Sequence, residues 1–194
     1  MKKLLFGILF LLVFSNTYAQ PEIARKDWSR LVDMIVAEDW VPANKLSLSF
    51  LSSIPFTEVN SREASKLRYM YILSEAGLLS TGKVTKSEVL SSVTGFVGKP
   101  VWLPAYPISQ KRESDSYTAD LNAPDTLTLT EGNTEDDVVF TLYRIVLKNK
   151  WTVADVQANT GKTWRFGGNV KSVAVKSKRL EIIIEDAIAE EPRK

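Results

Sequence analysis

The sequence predicts an α+β fold, with N-terminal helical hairpins or a helical bundle over residues 20–98 packed beside a small antiparallel β-barrel over residues 99–188. Up to about residue 98, apolar side chains recur at the spacing of an amphipathic helix. Beyond that point they alternate with polar side chains, and turn-forming residues separate the alternating runs. With 44% apolar residues, the chain can bury one moderate core or two small ones.

Two apolar stripes predict the first two of about four helices. Trp28, Leu31 and Ile35 recur at helical spacing, and Pro42 breaks this pattern. A second stripe covers residues 43–54 and ends at the proline that follows it. We therefore expect two short helices joined by a short loop.

Capping signals predict the third and fourth helices. Asn60 is followed three residues later by Glu63, which is typical of a helix start, and the long apolar stripe beyond it ends near Gly82. Thr85 and Glu88 have the spacing of a capping box ahead of another apolar stripe. The helical region therefore consists of about four helices.

Part of this region resembles a tetratricopeptide repeat, a pair of antiparallel helices. The resemblance rests on Trp28, Leu31, Ala43 and Pro55, with one residue deleted from the turn between the helices. It departs from the repeat at Ser47, where the family has an aromatic residue, and it covers one repeat. It implies a helical-hairpin groove for a protein partner; an ordinary helical bundle is the alternative.

The β region has five predicted strands and one helix. Their order is strand 99–106, strand 116–130 broken near Pro124, strand 137–147, helix 152–159, strand 163–175 and strand 179–187. This order resembles an OB-fold, a five-stranded Greek-key barrel with a helix between its third and fourth strands. Residues 189–194 are expected to form a polar tail.

The first 19 residues resemble a secretory signal. Two lysines precede an apolar run of 11 residues, 4–14, and small residues stand three and one positions before a cut after Ala19. The run is too short to span a bilayer, which takes about 20 residues. We expect a periplasmic or secreted protein with no transmembrane anchor, and with no lipid anchor because the chain has no cysteine.

The charge balance and two missing residue types exclude many functions. The chain has 25 basic and 23 acidic residues, and loss of the two signal lysines leaves 23 of each. A neutral mature chain argues against nucleic acid as a partner. Without cysteine or histidine there is no thiol nucleophile, no imidazole base and no site built on either metal ligand. We expect no cofactor.

Opposite charges separate within the β region. Residues 113–137 hold eight acids and no base, whereas residues 144–179 hold nine bases and one acid. One interpretation is a basic, aromatic-lined face that binds an anionic or sugar ligand. Its candidate residues are Trp102, Tyr106, Tyr143, Arg144, Trp151, Trp164, Arg165 and Lys171. The alternative is that strands of opposite charge pair across the sheet while the aromatic side chains fill the core.

The acidic stretch also contains a candidate cation site. Glu131, Asn133, Glu135 and Asp137 place oxygen ligands at alternate positions, as calcium requires. The glycine and the later glutamate of the known calcium loop are missing, which favours an acidic hairpin turn.

Three functions remain open after these exclusions. The first is a non-enzymatic binding or interaction module of the cell envelope, for an envelope protein or a small or glycan ligand. The second is a cofactor-free hydrolase of glycans or cell-wall material that uses paired carboxylates. The third is a structural envelope component.

Overall fold

The structure is a computed structural model that describes residues 25–112, 116–132 and 138–192. This part of the chain has mixed α+β architecture, with five α-helices and six strands. The predicted signal segment, 1–19, lies outside the described residues. No helix in the described part is long and apolar enough to cross a membrane.

Four helices precede the strands, as the sequence predicts. They are α1 (Arg25–Val36), α2 (Trp40–Ser53), α3 (Arg62–Ser80) and α4 (Lys86–Val93), with single 3-10 turns at Phe56–Glu58 and Thr94–Phe96. The predicted capping box of α4 is confirmed, because Thr85 and Glu88 bond reciprocally to each other's backbone N–H groups.

Two helix starts differ from the sequence prediction. Pro42 lies in the first turn of α2, where the backbone N–H that proline lacks would have no partner within the helix. The N-cap of α3 is Ser61 and not Asn60, and its Oγ accepts the N–H of Ala64 at 3.2 Å. The differences shift the start of α2 by three residues and that of α3 by one, and they leave the helices in place.

The strands and the last helix follow in the predicted order, with one extra strand. They are β1 (Pro100–Ser109), β2 (Tyr117–Asp120), β3 (Ala123–Gly132), β4 (Val139–Leu147), α5 (Val153–Asn159), β5 (Thr163–Lys176) and β6 (Arg179–Glu190). The predicted strand 116–130 is two antiparallel strands, β2 and β3, which meet at a tight turn. That turn lies at Leu121 and Asn122, and Pro124 lies inside β3.

The six strands form one sheet that closes in a ring, in the order β1-β2-β3-β4-β6-β5 and back to β1. The prediction of an antiparallel barrel needs correction. Four of the six pairings are antiparallel, whereas β1 with β2 and β4 with β6 are parallel. β5 pairs with the other edge of β6 and runs antiparallel to it, whereas β6 runs beside β4 in β4's own direction.

β6 is longer than predicted and takes in part of the expected tail. Residues 188–190 pair with β5, so that Ile188, Ala189 and Glu190 stand opposite Gly167, Phe166 and Arg165. This added length brings a carboxylate, that of Glu190, to the end of the ring that the helices cover.

One hydrophobic core joins the helices to the ring. Tyr117, Tyr143 and Phe166 are fully buried within the ring, and the Tyr117 and Phe166 rings meet edge to face at 4.6 Å. The same core includes Ile72 and Ala76 of α3. A smaller core, made by Leu31, Ala43 and Leu67, holds α1 and α2 against α3. The predicted regions 20–98 and 99–188 therefore contribute to one hydrophobic core.

Candidate functional site

A cleft of about 200 Å³ lies where the helices meet the ring. Two helices and two strands contribute its walls, α1 and α3 on one side and β1 and β5 on the other. The lining residues are Trp28, Lys66, Tyr69, Met70, Trp102, Leu103, Pro104 and Arg165. The lining therefore combines aromatic and aliphatic side chains with two cations.

The helical wall follows from the spacing of residues on α3. Lys66, Tyr69 and Met70 stand at positions i, i+3 and i+4 and so lie on one face of the helix. Arg62 precedes Lys66 by four residues and adds a third cation at the N-terminal end of that face. Tyr69 is buried and Lys66 is half-buried, so the face passes from the core to the surface along the helix.

The strand wall depends on close packing of Trp102 against Gly167. These residues are partners in the pairing of β1 with β5, and a Cβ at position 167 would overlap the Trp102 indole. The Arg62 guanidinium also lies over the indole, 4.4 Å from the ring centroid. The Nε1–H of Trp102 is buried and has no acceptor in the described part of the chain.

Electrostatic interactions at the cleft favour an anion. Burial is the main cause that lowers the pKa of Lys66, and the charge of nearby Glu63 opposes it. Arg165 and Arg62 lower the same pKa further, whereas Glu190 raises it. Three cations and two carboxylates therefore act on one another here, and a bound anion would offset the repulsion of Lys66 by Arg62 and Arg165.

The floor of the cleft leads to a buried group of hydrogen-bonding side chains. The Tyr69 hydroxyl donates to one carboxylate oxygen of Glu131, and Thr141 donates to the other at 3.0 Å. The rings of Tyr69 and Tyr143 lie 6.1 Å apart. Burial, together with the negative charge of Glu131, raises the pKa of both tyrosines well above its usual value. Both phenols therefore remain neutral.

Two of the eight predicted ligand-binding residues, Trp102 and Arg165, meet in the cleft. Tyr143 lies inside the ring, and Tyr106 packs 6.0 Å from Tyr117. Trp151 and Trp164 pack edge to face, 5.9 Å apart. These aromatic positions agree with the alternative interpretation, in which they belong to the core.

The two remaining predicted residues lie on the outer surface of the ring. Arg144 lines a shallow depression with Lys176 and Glu181. Lys171 forms an ion pair with Glu185 at 2.9 Å, across the pairing of β5 with β6. The eight residues therefore do not share one face.

The predicted cation site cannot be assembled from the described residues. Asn133, Glu135 and Asp137 lie outside them, and the Glu131 carboxylate accepts hydrogen bonds from Tyr69 and Thr141. Within the described ranges, no group of three acidic side chains is placed to hold a metal ion.

The helical half of the cleft was missing from the sequence prediction. Trp28 was assigned to a core stripe, and Lys66 and Tyr69 were not candidates. One signal was available, since Lys66 lies on the same helix face as the apolar Met70, which follows four residues later. A cation within such a face indicates a partly exposed site beside the core.

Comparison with known protein families, curated proteins and solved structures finds no significant match to this chain.

Proposed function

We propose that this protein is a non-enzymatic binding module of the cell envelope, whose cleft holds an anionic ligand with a flat apolar body. The proposal rests on one observation: two cations, Lys66 and Arg165, stand in a half-buried cleft otherwise lined by aromatic and apolar side chains. Apolar walls with a few convergent polar groups are typical of small-molecule sites. The envelope location follows from the predicted signal segment.

The composition of the cleft favours binding over hydrolysis. Among the residues that the structure describes, its lining contains no carboxylate, whereas the alternative of a glycan hydrolase requires two that face each other. Within the described ranges, hydrogen bonds lower the pKa of the Glu88, Asp155 and Glu181 carboxyls. A general acid needs the opposite shift.

The ring is best explained as an OB-like barrel with β2 as an added strand. Without β2, five strands remain, and α5 falls between the third and fourth of them, as in that fold. The proposed ligand then binds at an end of the barrel, against the helices.

The test is calorimetric titration of the mature chain with naphthoate and with its neutral analogue naphthalenemethanol. We expect tighter binding of the carboxylate, because charge-assisted hydrogen bonds to Lys66 or Arg165 add to the apolar contact. Lys66→Met or Arg165→Met should each weaken naphthoate binding about tenfold, the loss of one such bond.

Arg144→Met is the matched control, since it removes a guanidinium from the outer surface of the ring, in the other depression. It should leave naphthoate binding unchanged. Equal affinity for the two probes, or an equal loss in the Arg144 variant, would refute the assignment of the cleft as the site.

A further inference from the structure

We propose that Glu190 is a built-in counter-anion that sets the affinity of this cleft, so that a ligand anion binds in competition with it. The inference rests on the proposed function, because it concerns the same site. Glu190 lies at the end of β6, in the segment predicted from the sequence to be a polar tail.

The geometry places the Glu190 carboxylate among the cations of the cleft. It forms an ion pair with Arg62, the residue whose guanidinium covers the Trp102 ring. Glu190 is also the β6 residue that pairs with Arg165 of β5. One carboxylate thus engages one cation at the rim and faces a second cation of the lining, the position that a ligand anion would take.

The contact is weak enough to exchange. The side chains of Arg62 and Glu190 are 40% and 35% exposed, so water and salt screen their attraction. An ion pair at that exposure contributes little to stability, and its two partners can separate when a better-placed anion arrives.

Glu190→Gln tests this inference, with Glu191→Gln as a matched control. Glu191 is adjacent and exposed and carries the same charge, but it follows the end of β6. We expect Glu190→Gln to tighten naphthoate binding about three- to tenfold, the effect of one removed charge at close range in a partly solvated site. Affinity for naphthalenemethanol should not change, and Glu191→Gln should bind naphthoate as the wild type does.

Each outcome decides both proposals. If the wild type prefers naphthoate and Glu190→Gln does not bind it more tightly, the counter-anion inference is wrong and the binding function stands. If Glu190→Gln alone binds, Glu190 blocks the cleft and the inference is supported. If neither binds, both proposals fail. If Glu191→Gln gains as much affinity as Glu190→Gln, the effect is one of overall charge and the inference fails.

Discussion

Replacement of Gly167 by alanine tests the packing that shapes the cleft. Gly167 does not have a positive φ, so its backbone conformation accepts an alanine. The obstacle is the Trp102 indole, which the new methyl group would overlap. A loss of stability in this variant would therefore report the contact between Gly167 and the Trp102 indole, and not backbone strain.

The expected loss is the difference between two effects. Overpacking a close contact costs about 1–3 kcal/mol. Replacing a glycine with alanine in a compatible conformation stabilises the fold by about 0.4–1 kcal/mol, because it lowers the conformational entropy of the unfolded chain. We expect a net loss of about 1–2 kcal/mol, which lowers the melting temperature by a few degrees in a chain of this length. Trp102 should move towards the cleft and weaken naphthoate binding.

The assay is urea denaturation of a double-mutant cycle with Trp102→Ala. Without the indole the methyl group has room, so Gly167→Ala should then be neutral or stabilising. The coupling energy should reach about 1–2 kcal/mol, above the roughly 0.5 kcal/mol expected for independent sites. Gly95→Ala is the control, since a Cβ there meets nothing within 4 Å. An equal cost of Gly167→Ala in both backgrounds would show that Trp102 does not lie against Gly167.

Two further predictions concern buried polar side chains of α3. Arg68 donates to the main-chain carbonyls of Val59 and of Pro100, the latter at 2.7 Å, so Arg68→Met should cost at least about 2 kcal/mol in urea denaturation. The same replacement at exposed Arg30 should cost little, and equal losses would contradict this role. Burial and the hydrogen bond with Glu75 raise the pKa of Tyr71 from 10.0 to about 12, so its contribution to stability is complete below pH 10 and is lost as the pH approaches 12. Unfolding free energies measured over that interval should fall less steeply for Tyr71→Phe than for the wild type, and identical slopes would refute the shift.

Local signals in the sequence predicted the elements, because a helix cap or an alternating strand is decided within a few residues. The capping box at Thr85 is confirmed, and the predicted helix 152–159 begins with a second capping box, between Thr152 and Asp155. The positions where the chain turns are set by local chemistry in the same way. Gly161, which lies between α5 and β5, has the positive φ of 80° that favours glycine.

The sequence did not predict which strands pair or how α3 docks against the sheet. In the two parallel pairings, the side-chain pattern of a strand does not identify the strand with which it pairs. Tyr143 directly precedes Arg144, the first residue of the basic stretch, which made it a candidate binding residue, and only the closure of the ring decides that it faces inward. The cleft depends on the docking of α3 against β1, so Lys66 could not be connected with Arg165 from the order of residues.

The burial of α3 bears on how the helices can act. Its residues are buried along most of its length, because α1 and α2 cover one side while the ring covers another. A helical-hairpin groove for a protein partner would therefore have to use the outer surfaces of α1 and α2 and the turn after them, where Val36, Leu48 and Phe56 are exposed. The surface that α3 would offer in an isolated hairpin is already occupied by the ring.

It follows that the proposed site belongs to neither half of the chain alone. Trp28 and Lys66 come from the helices, whereas Trp102 and Arg165 come from the ring. Glu190 reaches Arg62 of α3 only because β6 continues past the ring's core. A fragment of residues 20–98 or of 99–194 would lack half of the cleft walls and would expose the core that α3 shares with the strands. A site shared in this way requires that both fragments lose naphthoate binding and that the whole mature chain retains it.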